Sequence, residues 1–156
     1  SDAEATMPFS MHVEYSTHLP PSGVEAPVLL KTSLTDADVA AGEVTELRVS
    51  VTNARDEPAP MTVAVVGVPG GLEVRHERLR ELVKAGTIAF YEVRGRDLVL
   101  YWRGMAPAQT VELQVDLAAA VAGTYTGDAS RAYLYYTEEL KSWQAGLQVT
   151  VREEAI

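Results

Sequence analysis

Apolar and polar residues alternate with period two along much of this chain. Leu47-Arg48-Val49-Ser50-Val51-Thr52-Asn53, Val111-Glu112-Leu113-Gln114-Val115-Asp116-Leu117 and Leu147-Gln148-Val149-Thr150-Val151 each fit a strand with one face buried. Val28-Leu29-Leu30 and the run Met61 to Val68 are continuously apolar, which predicts strands that sit deeper or have both faces covered. Ile88 to Val93 and Leu98 to Trp102 flank Gly95 and read as a hairpin. Together with a tyrosine-rich run after Ser130 and a weaker candidate at Met11 to Ser16, these make eight or nine strands. Turn residues at Ala41-Gly42-Glu43, Asp56 to Pro60, Pro69-Gly70-Gly71, Gly104 to Pro107 and Gly127-Asp128 punctuate them. Short strands at this spacing predict an all-β fold, an antiparallel Ig-like β-sandwich.

One segment breaks the alternation. Between Glu73 and Ala85 the apolar residues Leu79, Leu82 and Val83 recur at helical spacing, and Gly86 follows as a natural C′ residue. This predicts a short amphipathic α-helix inserted between strands, with its apolar stripe on the sandwich and Arg75, Glu77, Arg78, Arg80, Glu81 and Lys84 in water. Residues 1–20, which run into Leu19-Pro20-Pro21-Ser22-Gly23, read as a linker or the edge of a preceding domain, and 21–156 as the sandwich domain. The acidic start without Met reads as an excised piece of a longer chain.

Length and charge narrow the function classes. The 156 residues give room for one core, which buries roughly 70% of the surface the unfolded chain exposes. A net charge of −9 disfavours nucleic acid, whose phosphates need a surplus of Lys and Arg on one face. With no cysteine there is no disulfide, thiolate metal site, thiol nucleophile or thioester in these residues. No apolar stretch approaches the roughly 20 residues that span a bilayer.

Candidate chemistry is sparse. His12, His18 and His76 form no metal signature, and no G-x-S-x-G elbow is present. Gly67-Val68-Pro69-Gly70-Gly71 lacks the spacing and lysine of a phosphate loop and reads as a turn. Asp36, Asp38, Glu43 and Glu46 do not follow calcium-loop spacing and read as a solvated acidic connection. No cofactor or metal is expected, and no enzyme. Three of seven tyrosines fall within Tyr133 to Tyr136; as a strand this places Tyr133 and Tyr135 on one face, Leu134 and Tyr136 on the other. Aromatic cross-strand packing and a sugar- or peptide-binding strip both fit that pattern.

Ser130-Arg131-Ala132-Tyr133-Leu134-Tyr135-Tyr136, an acidic pair, and Trp143 to Val149 resemble the C-terminal receptor-binding domain of alpha-2-macroglobulin-like proteins. Upstream, Asn53, Pro60-Met61-Thr62-Val63, Pro69-Gly70-Gly71-Leu72, the helix, Tyr91-Glu92-Val93 and Leu98 to Trp102 follow in the same order, so the resemblance spans about residues 24–151. It implies a sandwich with one helix packed on it. It also implies a parent that is a large protease trap, whose thioester lies in another domain. In vertebrate members the helix carries two lysines four residues apart that an acidic clearance receptor recognises. Here His76 and Arg80 stand at the matching positions, and neither reproduces an ammonium point charge. The helix is still locally basic, so Arg75, His76, Arg80 and Lys84 are the candidate interaction surface. Asn53, the only asparagine, is followed by Ala54-Arg55 and is no glycan acceptor, which favours a bacterial member.

The expected function is therefore a non-catalytic interaction domain of a bacterial alpha-2-macroglobulin-like protease inhibitor, periplasmic or extracellular by that resemblance. Its partners would be neighbouring domains of a longer chain, and a protein receptor or protease in the parent. The alternative is a free-standing Ig-like module that binds carbohydrate or peptide. An exposed coplanar row of Tyr133, Tyr135, Trp102 and Trp143 would support that alternative, and burial of those rings would sink it.

Overall fold

A computed structural model describes residues 19–23 and 25–154. The possible strand at Met11 to Ser16, with His12 and His18, lies outside them. The elements are β1 (Val28–Leu34), β2 (Asp38–Ala40), β3 (Val44–Asn53), β4 (Thr62–Gly67), β5 (Leu72–Val74), α1 (His76–Lys84), β6 (Phe90–Arg94), β7 (Asp97–Trp102), β8 (Thr110–Ala119), β9 (Gly123–Thr126), β10 (Ser130–Leu134), β11 (Thr137–Gln144) and β12 (Gln148–Arg152).

They form two principal antiparallel sheets, ordered β1-β3-β8-β5 and β11-β10-β4-β7-β6. A third sheet, β2-β12-β9, contains the parallel pair β2–β12. The all-β sandwich with one inserted helix is thus as expected. The alternation of β3 and β8 does what period two requires: Leu47, Val49, Val51, Leu113, Val115 and Leu117 point into the core, and their neighbours point away. From the other sheet Ala64, Val66, Leu98, Leu100, Ala132 and Leu134 meet them. Strand β4 is buried on both faces throughout, as its continuous apolar run predicts. Strand β1 is not, because Leu29 points outward and is exposed while Val28 and Leu30 enter the core.

The helix is shorter than its sequence pattern. Leu72 to Val74 pair with Ala119 to Leu117 of β8, so the ladder captures Glu73 and Val74 and the helix begins at His76. Leu79 and Leu82 are buried, Val83 is half-buried, and the charged residues face water. Gly86, at φ +79, ends it. The β6–β7 hairpin closes across Gly95 as expected, with Arg94 opposite Asp97. Strand β6, however, begins at Phe90, which leaves Ile88 buried in the connection from the helix.

The Pro69-Gly70-Gly71-Leu72 turn has a specific packing reason. A Cβ at Gly70 would lie 2.9 Å from Tyr125 Cδ1, and one at Gly71 would enter the same ring, so the turn is the bed on which Tyr125 lies. Arg96 fixes this turn from the other side. Its guanidinium donates to the carbonyls of Val68 (3.3 Å), Pro69 (2.7 Å) and Leu72. Because charge-assisted bonds to three carbonyls have no substitute within reach, Arg96→Ala is expected to lower the unfolding free energy by about 2 kcal/mol in urea denaturation.

Candidate interaction surfaces

Helix α1 bridges the two sheets, touching β8 of one and β6 of the other. His76, Arg80 and Lys84 are spaced i, i+4 and i+8 and lie on one stripe. Arg75 precedes the helix at its N-cap position, five residues before Arg80 and about 140° round the axis, so it stands off that stripe. His76 is tied down, since its Nδ1 lies 3.0 Å from the Tyr91 hydroxyl on β6 and the two rings are 5.8 Å apart. Arg75 and Arg78 have acidic neighbours, Glu77 at 3.9 Å and Glu81 at 3.1 Å. Among the described residues Arg80 and Lys84 make no ion pair, so these two carry the unneutralised positive charge of the helix.

The tyrosine run does not lie as the pattern suggested. Strand β10 keeps its alternation and stops at Leu134, its pairing with β11 shifts register between Ala132 and Leu134, and Tyr135 and Tyr136 form the turn into β11. They are 52% and 77% exposed and meet edge to face, 5.2 Å apart at 83°. Two perpendicular rings at a hairpin tip suit insertion into a protein partner better than a flat sugar face. Trp102 is buried, with its Nε1 donating to the Thr87 carbonyl at 3.0 Å, and Tyr133 and Trp143 are half-buried. The coplanar row of these four rings that carbohydrate binding would need is absent.

A third surface was not singled out in the sequence. On the face of β11-β10-β4-β7-β6 turned away from the core, one row runs Trp143, Arg131, Val65, Val99, Glu92 and the next runs Tyr133, Val63, Tyr101, Phe90. Phe90 stacks on Tyr101 at 4.1 Å and 11°, Arg131 lies over the Trp143 ring and Lys141 over Tyr133. Burial, with the Glu92 carboxylate nearby, raises the Tyr101 phenol above its ordinary pKa. The only hint in the sequence is that runs such as Val63 to Val66 and Leu98 to Trp102 leave no polar face.

The acidic connection is internally engaged. Asp38 pairs with Arg152 at 2.6 Å, and Glu43 accepts from the Ala40 amide at 2.9 Å. Among the described residues no three His, Asp or Glu side chains come together as a metal site, and no helix is long and apolar enough to cross a membrane.

No family model and no curated protein matches the chain by sequence. Its fold is nevertheless found in bacterial alpha-2-macroglobulins. The Salmonella protein reacted with methylamine superposes with TM-score 0.66 at 18% identity over 85% of this chain and 10% of that one. Escherichia coli alpha-2-macroglobulin activated by porcine elastase gives 0.67 at 17% identity, over 85% and 14%. The native Escherichia coli protein from domain MG7 to its C-terminus gives 0.60 at 18% identity, over 85% and 25%. The chain therefore has the fold of a domain that makes up a quarter or less of those chains, in agreement with the family resemblance read from its residues.

Proposed function

We propose that this chain is a non-catalytic interaction domain, of receptor-binding type, in a bacterial alpha-2-macroglobulin-like protease inhibitor that works in the periplasm or outside the cell. The likeness of the whole sandwich to bacterial alpha-2-macroglobulins carries this reading. Such a domain acts through what it touches, and the described surface offers two features suited to protein contacts. One is the α1 stripe with its unpaired Arg80 and Lys84; the other is the Tyr135–Tyr136 tip. The stripe suits an acidic partner surface, because two neighbouring cations without acidic partners of their own are drawn to complementary charge. In the vertebrate pattern a lysine pair serves a receptor. With His76 held by Tyr91, the same helix here is suited to a different contact, with a neighbouring domain or a captured protease.

The test uses the full-length protein that contains this domain, incubated with trypsin or elastase. Cleavage should be followed by retention of the protease in one complex on a native gel. Reversing Arg75, Arg80 and Lys84 to Glu together should weaken that retention while leaving the melting temperature unchanged. A full-length protein that neither traps nor retains a protease would overturn the inhibitor reading, whereas undiminished retention by the triple variant would remove α1 from the contact.

A further inference from the structure

Beside the C-terminal end of α1 lies a pocket of about 390 Å³ that no sequence motif marks. Ile88 and Trp102, 1% and 4% exposed, form its apolar floor, and the half-buried Val83 and Ala89 stand around them. Gly86 and Gly104 line it with backbone alone, so they add no side chain that could fill it. Arg103, which is exposed, is the one charged residue in the lining.

The pocket is held open by hydrogen bonds within its own frame. Trp102 Nε1 donates to the Thr87 carbonyl at 3.0 Å, and the Thr87 amide donates to the Leu82 carbonyl at 3.0 Å, so the ring is tied to the connection that leaves the helix. The Gly86 amide donates to Val83 O at 3.1 Å and the Ala89 amide to Tyr101 O at 2.7 Å. Walls fixed in this way have little freedom left to lose when the pocket is filled.

Size and charge indicate the occupant. About 390 Å³ is at the low end of the range for small-molecule sites and suits one large apolar side chain brought by a partner. Arg103 and Lys84, the residue after Val83 on the helix, make no ion pair among the described residues. Glu81, one turn before Lys84, is already held by Arg78 at 3.1 Å. Two unneutralised cations beside an apolar floor favour carboxylates next to the inserted side chain.

We propose that this pocket anchors the contact made by α1: it takes a leucine-sized side chain from an acidic segment of a partner protein, whose neighbouring carboxylates meet Arg103 and Lys84. An apolar anchor in a pre-formed pocket, ringed by polar contacts, is the arrangement that carries most of the energy of a protein interface. The inference rests on the reading of α1 as a protein-contact surface and extends it from the helix stripe to the residues that follow β7.

The probe is a capped pentapeptide with leucine between two pairs of glutamates, titrated into the 15N-labelled 156-residue chain. The amide signals of Val83, Gly86, Ile88, Arg103 and Gly104 and the Trp102 indole N–H should shift together. Serine in place of the leucine, or glutamine in place of the glutamates, should weaken binding at least tenfold. Arg103→Glu should weaken it to a similar degree with the melting temperature unchanged, and the peptide comparisons on the unaltered chain do not depend on that variant. Equal binding of the leucine and serine peptides, shifts centred on another surface, or no shifts up to millimolar peptide would overturn the proposal. Protease retention by the full-length protein is a separate measurement: retention without peptide binding removes the pocket alone, and peptide binding without retention removes the inhibitor reading alone.

Discussion

Replacing Asn53 with leucine is expected to lower the unfolding free energy by about 3 kcal/mol, although leucine has the same branched outline. Asn53 is fully buried at the end of β3. Its Nδ2 donates to the Glu57 carbonyl at 2.9 Å and the Ala106 carbonyl at 3.0 Å, and its Oδ1 accepts from the Arg55 amide at 3.1 Å. One side chain thereby ties the 53–57 turn to the loop between β7 and β8. Leucine leaves the Glu57 carbonyl and the Arg55 amide without partners and removes one of the two donors to the Ala106 carbonyl, which keeps the Gln109 amide at 3.1 Å; each orphaned group costs about 1–3 kcal/mol if it stays dry, and loop opening to water recovers part of that. Urea denaturation of the variant should show the lower midpoint. A loss under about 1 kcal/mol would mean that the two loops find other partners.

Gly146→Ala should have an effect of the same size for a different reason. Three backbone segments cross where β4 ends and where the β9–β10 and β11–β12 connections pass. A Cβ at Gly146 would enter the Gly127 carbonyl oxygen, and one at Gly67 would enter the Asp128 carbonyl. The Gly127 amide, meanwhile, donates to Leu147 O at 2.8 Å. Backbone cannot swing aside as a side-chain end can, so relief requires shifting a connection that this bond holds. A cost of about 3 kcal/mol and a melting temperature lower by roughly 10 °C are expected. Gly23→Ala is the matched control, because its added Cβ would meet nothing closer than 3.8 Å. Equal melting temperatures for Gly146→Ala and the control would show that the crossing yields freely.

Both sites bear on what the sequence reveals. Asn53 stood out in it only as the last residue of an alternating strand and as a lone asparagine, since its partners lie on two loops separated by a third of the chain. The long strands β3 and β8 were legible because ten residues show period two plainly. Strands β2 and β5, at three residues, and β9, at four, are too short to show a period, and are formed by the partners they pair with. Strand β11, Thr137–Gln144, is an edge strand in which only Ser142 is buried, so it carries no apolar alternation to read. The cations of α1 were legible from composition and spacing. The bond between His76 and Tyr91 was not, because Tyr91 reaches the ring through the placement of β6 against the helix.

The incoming chain on the edge of β11 also sets how the domain bears mechanical load. Tension arriving through Ser22 and Gly23 meets the second sheet at two bonds, Trp143 to Ser22 and Gly23 to Lys141, before it reaches β1 in the first sheet. Two bonds along one edge peel in sequence, whereas β1 is held to β3 through seven consecutive residue pairs, from Val28 opposite Asn53 to Leu34 opposite Leu47. The weak pair acts as a mechanical fuse: it can part and release residues 22 and 23 from β11 while the β1–β3 ladder, and with it the sandwich, stays closed.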